Sequence, residues 1–541
     1  MAGSGKSKKG SGGKLTDRIV RPGALNKRVV VVPRVVVRVA PGLFPNPIEF
    51  YRPGAERLLT GENRKLWDAM AADFRQPVLM PLFGALPPGE IKRLVREAQR
   101  RDPEYKDPGF FEYFQIAVPA GKGAARKLAD VLRQLPFVRD ARASMPVPPP
   151  GLLVQKDPET SDYVEDAPLG HGVMNGAWNV ADGGGASVSA ETTVGEGPGR
   201  PPLRFGMVDN AWLQVTHPDL PAVDHCAGAP AMAAVIDPAF VQHGTACLGI
   251  VAALQNGSGM VGMAPKLACL PVIGSSYAGS GSIATWKPED ALLAVSARLV
   301  EGDVLLVEQQ ALSDFLDYYV PLEAMAPAFE VIYNAATRGV VVIEPAGNYK
   351  NKHRTERDGE APDRAPWMNL DDPANRVSGV VQEVGERSLV PGGPDYLDSR
   401  AIMVSAAYGG AVAHGQGWGH ERLSWVNSGS RVDCYSWGES VRSAGATTLG
   451  DAPSTNCFSG LTGTSAASAI VAGLALLVQD RAIKLHGRRL KPLFIRERIF
   501  RAGGTPVVDV AGGAETGRFL PNLAQLDSLI PSPLDVPDAF F

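Results

Sequence analysis

Apolar and polar positions follow two different periods along the middle of the chain. Short apolar runs at 203–208, 303–307 and 340–344 predict buried strands, and the stretch 327–338 has the spacing of one apolar helix face. Strands that alternate with helices are typical of a parallel sheet whose faces are covered by helices. The pattern therefore predicts an α/β fold with a mostly parallel central sheet, which binds ligands beyond the C-terminal ends of its strands.

A different order of elements precedes this region. Strands are expected at 77–83, 110–118 and 137–143, with helical spacing at 91–98 and 128–135 between them. This β-α-β-α-β order is close to a ferredoxin-like plait. We therefore expect a small α+β (ferredoxin-like) N-terminal domain in front of the larger α/β domain.

Composition sets the expected domain boundaries. Polar residues rich in Gly, Ser and Lys open the chain, and a Pro-rich run separates the two folded regions. The expected units are a disordered polar tail (1–27), the N-terminal α+β domain (28–145), a Pro-rich linker (146–164), the α/β domain (165–530) and a C-terminal tail (531–541).

Charge and cysteine content restrict the function classes. The 541 residues carry a net charge of −3, which argues against nucleic acid and membrane surfaces as partners. No apolar stretch approaches the roughly 18–20 residues of a membrane span. Five cysteines without tight spacing form no disulfide framework and no zinc pattern, and free thiols fit a reducing compartment. Because the basic N-terminus lacks the apolar segment of a secretory signal, we expect a cytoplasmic protein, with leaderless export or a misassigned start codon as alternatives.

Candidate chemistry centres on Ser465. It follows Gly463 and Thr464, and the apolar residues behind it have helical spacing, so its hydroxyl is expected at a helix N-terminus. Free N–H groups and the helix dipole favour negative charge there, and a tetrahedral oxyanion is such a charge. Small polar residues also cap ordinary helices, so this motif alone is weak.

Three further motifs accompany Ser465. Asp209 ends an apolar run, His243 precedes a Gly-Thr pair, and Asn348 follows another apolar run. A serine hydroxyl needs an adjacent base, an imidazole can be that base, and a carboxylate can fix the imidazole tautomer. The order Asp, His, Asn, Ser and these local motifs resemble the subtilisin-like serine peptidases (subtilases, peptidase family S8), over roughly residues 165–530.

The resemblance implies a subtilisin-like three-layer fold and a serine endopeptidase. Asp209, His243 and Ser465 would form its triad, and the side chain of Asn348 would stabilise the oxyanion. The chemistry requires no cofactor, and protein or peptide substrates are the expected partners. A catalytically inactive peptide-binding module on the same fold is the alternative.

The second half of the N-terminal domain resembles the inhibitor-type propeptide of subtilases. That resemblance implies an intramolecular inhibitor, which is removed by cleavage in the exposed linker. An ordinary interaction domain is the alternative. The sequence does not fix the scissile bond.

One predicted strand departs from the family pattern. Where the family has a Ser-Leu-Gly-like sequence, this chain has Glu308, Gln309 and Gln310. Together with Gly347, these residues are expected to bind the substrate backbone as an added strand, with pockets for alternate side chains giving specificity. Glu308 either favours Lys or Arg before the cut or hydrogen-bonds within the site.

A loop that follows the His motif resembles the calcium loop of many subtilases. The resemblance implies a structural calcium ion, held by the oxygen atoms that a hard cation requires. The expected ligands are Asp219, Leu254, Asn256, Ser258 and Met260. An unmetallated loop is the alternative, because low cytosolic calcium would leave a weak site empty.

Overall fold

The structure is a computed structural model of the chain. It describes residues 29–44, 46, 51–149, 152–154, 193–196, 201–212, 217–256, 260–280, 282–312, 319–348, 370–371, 389–393, 396–408, 420–439, 441–445, 458–502, 504–509 and 515–521. The expected tails (1–27 and 531–541), most of the linker and Ser258 lie outside the described residues.

The described residues fold into short strands joined by helices and turns. The strands are β1 (Val30–Val31), β2 (Arg34–Val39), β3 (Met80–Pro81), β4 (Tyr113–Ala117), β5 (Val138–Ser144), β6 (Leu152–Val154), β7 (Phe205–Asp209), β8 (Asp224–Ala227), β9 (Val272–Ser275), β10 (Tyr277–Ser280), β11 (Ile283–Trp286), β12 (Val304–Val307), β13 (Gln310–Leu312), β14 (Tyr319–Pro321), β15 (Val341–Pro345), β16 (Ile402–Ala407), β17 (Cys434–Trp437), β18 (Val441–Ala444), β19 (Phe458–Thr462), β20 (Thr505–Val508) and β21 (Glu515–Leu520). The α-helices are α1 (Gly61–Asp73), α2 (Pro88–Arg101), α3 (Lys122–Leu132), α4 (Pro230–Ile236), α5 (Pro238–Ala252), α6 (Pro288–Ser296), α7 (Ala326–Thr337), α8 (Thr464–His486) and α9 (Pro492–Phe494). Short 3₁₀ turns lie at Ala55–Leu58, Phe110–Glu112 and Leu322–Ala324, and α9 continues into a π-helical turn at Ile495–Phe500.

A seven-stranded parallel sheet organises the α/β region. Its strand order is β17-β16-β15-β12-β7-β9-β8, and each of its pairings is parallel. The strands expected at 203–208, 303–307 and 340–344 are β7, β12 and β15, and the helix expected at 327–338 is α7. The predicted α/β class with a mostly parallel central sheet is confirmed.

Helices flank this sheet. α5 and α8 pack on each other, with α8 along β12, β15, β16 and β17, while α6 and α7 pack together against β7, β9 and β15. Contrary to the expectation from the sequence, α8 is long and apolar enough to cross a membrane by length and composition. However, 94% of its apolar window is buried inside the protein, as expected of a helix that forms the core of an α/β domain.

The N-terminal region forms an antiparallel sheet in the order β3-β4-β2-β5. As in a ferredoxin-like plait, α1 joins β2 to β3 and α3 joins β4 to β5, whereas α2 is an additional helix between β3 and β4. The strand expected at 77–83 is reduced to β3. Pro77 and Pro81 explain the short strand, because a proline has no N–H to donate to the ladder.

This N-terminal sheet region docks on the start of α6. Arg34 forms a bidentate ion pair with Glu289, with N–O distances of 2.5 and 2.9 Å. Both side chains are buried, with exposed fractions of 1% and 2%. At the next position, Asp290 Oδ1 accepts the backbone N–H of Ala85 at 2.9 Å. The docking surface thus contains buried charged groups on both sides.

Candidate active site

Three strands of the central sheet end at one place. β7 ends at Asp209, Glu308 follows β12, and Asn348 lies just after β15. α5 brings His243 to the same edge, and the first turn of α8 brings Ser465. This is the edge at which parallel α/β sheets bind their ligands.

Asp209, His243 and Ser465 form a continuous hydrogen-bonded chain. His243 Nδ1 lies 2.8 Å from Asp209 Oδ2, and His243 Nε2 lies 2.9 Å from Ser465 Oγ. The other carboxylate oxygen, Asp209 Oδ1, accepts the backbone N–H of Asn210 at 2.5 Å. The side chains of Asp209, His243 and Ser465 are all buried. Because an ionised carboxylate only accepts hydrogen bonds, Nδ1 carries the imidazole proton and Nε2 is left to accept the proton of Ser465.

The glycine after His243 lets α5 approach β7. A Cβ atom at Gly244 would lie 1.9 Å from the carbonyl oxygen of Ala211 and 3.2 Å from Asp209 Cγ. A tightly packed interior leaves no room for a side chain at such a distance. The His-Gly pair is therefore a packing requirement for the contact between Asp209 and His243.

Ser465 is the second residue of α8. The helix begins after Gly463, whose φ of 131° is a conformation that glycine adopts at little cost. The N–H groups of a first helical turn have no partner within the helix, and the helix dipole favours negative charge beside them. The Ser465 hydroxyl thus lies where an anion is stabilised, as the sequence predicts.

Asn348 is held by the residue next to Ser465. Its Oδ1 accepts the backbone N–H and the hydroxyl of Thr464, at 3.0 and 2.9 Å. Its own N–H donates to Gln310 Oε1 at 3.2 Å. The turn before it contains Gly347, whose φ is +96° and whose added Cβ would approach a neighbouring side-chain amide to 2.9 Å. These contacts fix the Asn348 amide group at the start of α8.

Two further ionisable groups lie behind this chain of hydrogen bonds. Cys247, one helical turn after His243, has its Sγ 3.7 Å from His243 Nδ1. Burial raises the pKa of Cys247 well above its ordinary value, and the charge of Asp209 acts in the same direction, so the thiol is uncharged. Glu308 is fully buried and accepts the Ser468 hydroxyl at 2.9 Å. This position favours a hydrogen bond within the site over a pocket for Lys or Arg.

The first part of the linker contacts Gln310, the first residue of β13. Gln310 Nε2 donates to the carbonyl oxygens of Pro148 and Pro149, at 3.0 and 3.4 Å. Val147 and Pro149 are buried, and Pro148 between them is exposed. Alternation of this kind is typical of an extended chain with one face against the protein.

The next described part of the linker pairs with the strand that leads to α8. β6 and β19 are antiparallel, with Leu152 opposite Thr462 and Val154 opposite Gly460. The stretches before and after residues 150–151 therefore contact two different elements next to the site, Gln310 at the start of β13 and Thr462 at the end of β19.

One group of candidate metal ligands lies in the site itself. Ligand atoms of Asp209, His243 and Cys247 lie within 4.8 Å of one another. However, both imidazole nitrogens are engaged in hydrogen bonds, and metal ligation requires a deprotonated thiol, whereas burial keeps this thiol protonated. The three side chains do not fit a metal ion as they are arranged.

The expected calcium ligands are brought together, apart from Ser258, which lies outside the described residues. Asp219 Oδ1 lies 3.2 Å from Asn256 Nδ2, and Asp219 Oδ2 lies 3.3 Å from the backbone nitrogen of Met260. The N–H of Leu254 donates to the carbonyl oxygen of Asp219 at 2.6 Å. Calcium takes about six to eight oxygen ligands. A calcium ion at Asp219 would therefore compete with these nitrogen donors for the carboxylate oxygens.

Sequence reasoning did not identify three side chains that support the site. Thr464 anchors Asn348, Asn427 Nδ2 donates to the carbonyl oxygen of Ala346 at 2.8 Å, and Trp286 Nε1 donates to Gln309 Oε1 at 3.1 Å. Thr464 belongs to the Gly-Thr-Ser motif and could have been found there. The other two are distant in sequence from their partners and carry no local signal.

Comparison with known proteins finds similar solved structures, and no match of any other kind. No family model and no curated protein matches the chain. Fervidolysin from Fervidobacterium pennivorans, a keratinolytic enzyme related to subtilisin, aligns with 14% identity and a TM-score of 0.45 over 94% of this chain and 64% of its own, which is less than two thirds of its length. A cold adapted subtilisin-like serine proteinase aligns with 16% identity and a TM-score of 0.35 over 60% of this chain and 89% of its own. Likenesses of this size carry no argument about activity, so the candidate function rests on the geometry of the site.

Proposed function

We propose that this chain is a subtilisin-like serine endopeptidase that forms an acyl-enzyme on Ser465. The observation that carries the proposal is the hydrogen-bonded chain of Asp209, His243 and Ser465, with 2.8 and 2.9 Å between the paired atoms. A serine next to an imidazole that a buried carboxylate orients is the arrangement that activates a hydroxyl near neutral pH.

In the proposed reaction, Ser465 Oγ attacks the scissile carbonyl carbon while its proton passes to His243 Nε2. Asp209 stabilises the imidazolium without taking the proton. The oxyanion accepts hydrogen bonds from Asn348 Nδ2 and from the backbone N–H of Ser465. His243 then protonates the leaving amine, and water hydrolyses the acyl-enzyme through the same groups.

The N-terminal domain is proposed as an intramolecular inhibitor. Two observations support this role: the buried ion pair of Arg34 with Glu289, and the linker, which contacts Gln310 and pairs with β19. A peptide that adds a strand in the cleft occupies the place of a substrate backbone. The linker is then the first substrate of the enzyme.

The alternative function is a module that binds peptides without hydrolysing them. The same cleft contacts would serve it, since strand addition requires no chemistry. The two functions differ in one property, because only a peptidase needs a reactive Ser465.

The test is intact-mass spectrometry of the full-length chain and of its Ser465→Ala variant, each with and without a fluorophosphonate probe. A serine peptidase gives one probe adduct on the wild type and none on the variant. Loss of an N-terminal fragment from the wild type alone establishes self-processing, and its mass locates the cut. An unlabelled wild type, together with an unlabelled but folded chain that begins near residue 165, contradicts the proposal and favours the binding module.

A further inference from the structure

Glu308 lies where three elements of the site meet. It follows β12, its Oε1 accepts the hydroxyl of Ser468 in α8 at 2.9 Å, and the thiol of Cys247 in α5 lies against its carboxyl group. Ser468 Oγ is also 3.0 Å from the carbonyl oxygen of Ser465. One carboxyl group thus links β12 to the helical turn that carries Ser465 and to the helix that carries His243.

The surroundings of Glu308 disfavour a charge. Among the described residues no cation pairs with it, and its Oε2 has no hydrogen-bond partner there. The titratable groups around it are Asp209 on β7 and His243 and Cys247 on α5. Asp209 already accepts a hydrogen bond from His243 Nδ1, and two carboxyl groups in one buried site do not both ionise readily. Burial and the Asp209 charge raise the pKa of Glu308 well above its usual range.

We propose that Glu308 is a positioning residue that works as an uncharged carboxylic acid, joining the first turn of α8 to the end of β12 and leaving His243 as the base for Ser465. This inference rests on the proposed function. A protonated carboxyl group of this kind can donate a hydrogen bond as well as accept one.

Ionisation of Glu308 would oppose catalysis in two ways. A second negative charge would lie near the place where the oxyanion forms, which weakens its stabilisation. The carboxylate would also offer the Ser465 hydroxyl an acceptor in competition with His243 Nε2. We therefore expect the activity to fall on the alkaline side as Glu308 loses its proton.

The test compares the wild type with Glu308→Gln and Glu308→Ala, all as full-length chains. The measured quantity is the rate constant for fluorophosphonate labelling of Ser465, from about pH 5 to about pH 11. Glutamine keeps an uncharged group of the same shape, so Glu308→Gln should label far faster than Glu308→Ala and should lack the alkaline decline. Glu308→Ala removes the link between Ser468 and β12 and should label about 10–100-fold more slowly than the wild type at pH 7.

A matched control removes a different buried carboxyl group from the opposite end of β12. Asp303 precedes this strand, pairs with Arg489 and lies away from the triad. Asp303→Asn should lower the melting temperature and leave the shape of the pH profile as in the wild type. An independent readout is the infrared absorption of protonated carboxyl groups, which should lose one component in Glu308→Gln and keep that component in Asp303→Asn.

Two results would overturn the inference while the proposed function stands. One is a wild type and a Glu308→Gln variant with superimposable pH profiles, and the other is the absence of a protonated-carboxyl band assigned to Glu308. A folded wild type that never labels, even without its N-terminal domain, overturns both proposals, because there is then no nucleophile to position.

Discussion

Thr464 fixes the orientation of the Asn348 side chain. A backbone N–H can only donate, and that of Thr464 lies 3.0 Å from the Asn348 amide, so the amide oxygen faces Thr464. The Thr464 hydroxyl is 2.9 Å from the same oxygen. The two protons on Nδ2 are therefore left for another acceptor, on the residue proposed to stabilise the oxyanion.

Replacing Asn348 with Ala should mainly slow the chemical step. Removal of one oxyanion donor typically costs about 100–1000-fold in kcat, with KM little changed. Thr464→Val keeps the N–H and removes the hydroxyl, so it should cost only about 3–10-fold. Steady-state kinetics of the processed enzyme on a peptide substrate measure both. A loss confined to KM would mean that Asn348 binds the ground state and not the oxyanion.

Gly244→Ala should separate α5 from β7. The added methyl group would lie 1.9 Å from the carbonyl oxygen of Ala211, so the backbone must shift, and overpacking of this kind costs about 1–3 kcal/mol. The shift lengthens the contact between Asp209 and His243, and we expect a lower melting temperature and slower probe labelling of Ser465. Gly123→Ala is the matched control, because an added Cβ at this helical position meets nothing within 4 Å. Normal labelling of Gly244→Ala would show that the close approach is not needed.

The positions of the candidate site residues in the fold could be predicted from the sequence because they lie in local motifs. Asp209 ends a strand, Asn348 follows one, and Ser465 opens a helix, so apolar runs and glycines mark these positions. β7, β12 and β15 were therefore predicted to within two residues. The role of Gly244 is a packing effect that the His-Gly pair indicates without explaining.

The parts that the sequence did not predict depend on contacts between distant segments. Arg34 and Glu289 are 255 positions apart, and the sequence around each residue carries no signal that predicts its partner. The contact of Gln310 with Pro148 spans 162 positions. The direction in which Glu308 points also could not be predicted, because its partner Ser468 comes from another element. Long-range pairs of this kind leave no periodic signal in one sequence.

Arg34→Met should loosen the N-terminal domain. It leaves Glu289 as a buried, unpaired charge, and breaking a buried pair in this way costs about 3–5 kcal/mol. We expect a lower melting temperature of the Ser465→Ala full-length chain and earlier release of the N-terminal fragment in the active chain. The control is Arg101→Met, which breaks the exposed pair with Glu301 at 2.6 Å and should cost about 0–1 kcal/mol. Equal effects of the two variants would argue against a buried pair at this surface.

Chelation should leave the stability of the chain unchanged. Both carboxylate oxygens of Asp219 lie within hydrogen-bond distance of nitrogen atoms, on Asn256 and Met260, and a calcium ion would have to displace those donors. We expect the same melting temperature in EDTA and in millimolar calcium. A rise with calcium that Asp219→Asn abolishes would establish the metal site that the sequence resemblance implies.

Docking of the N-terminal domain should weaken as the pH rises through about 6. Burial raises the pKa of Asp290 from 3.8 to about 6, against the N–H of Ala85 and the charge of Lys287, which lower it. The docked state therefore binds the proton more tightly than the undocked or unfolded state. Its contribution to stability is fully present below about pH 4 and is lost as the pH rises through about 6.

Asp290→Asn isolates this effect, because the Asn amide oxygen can still accept the Ala85 N–H and cannot ionise. Both variants are measured in the Ser465→Ala full-length chain. The melting temperature of Asp290→Asn minus that of its parent should increase from about pH 4 to about pH 8. The corresponding change in the free energy of unfolding is on the order of 1–3 kcal/mol. Differences at other titrating groups cancel, since both chains carry them. A difference that stays constant over this range would show that Asp290 ionises as readily in the docked chain as it does in water.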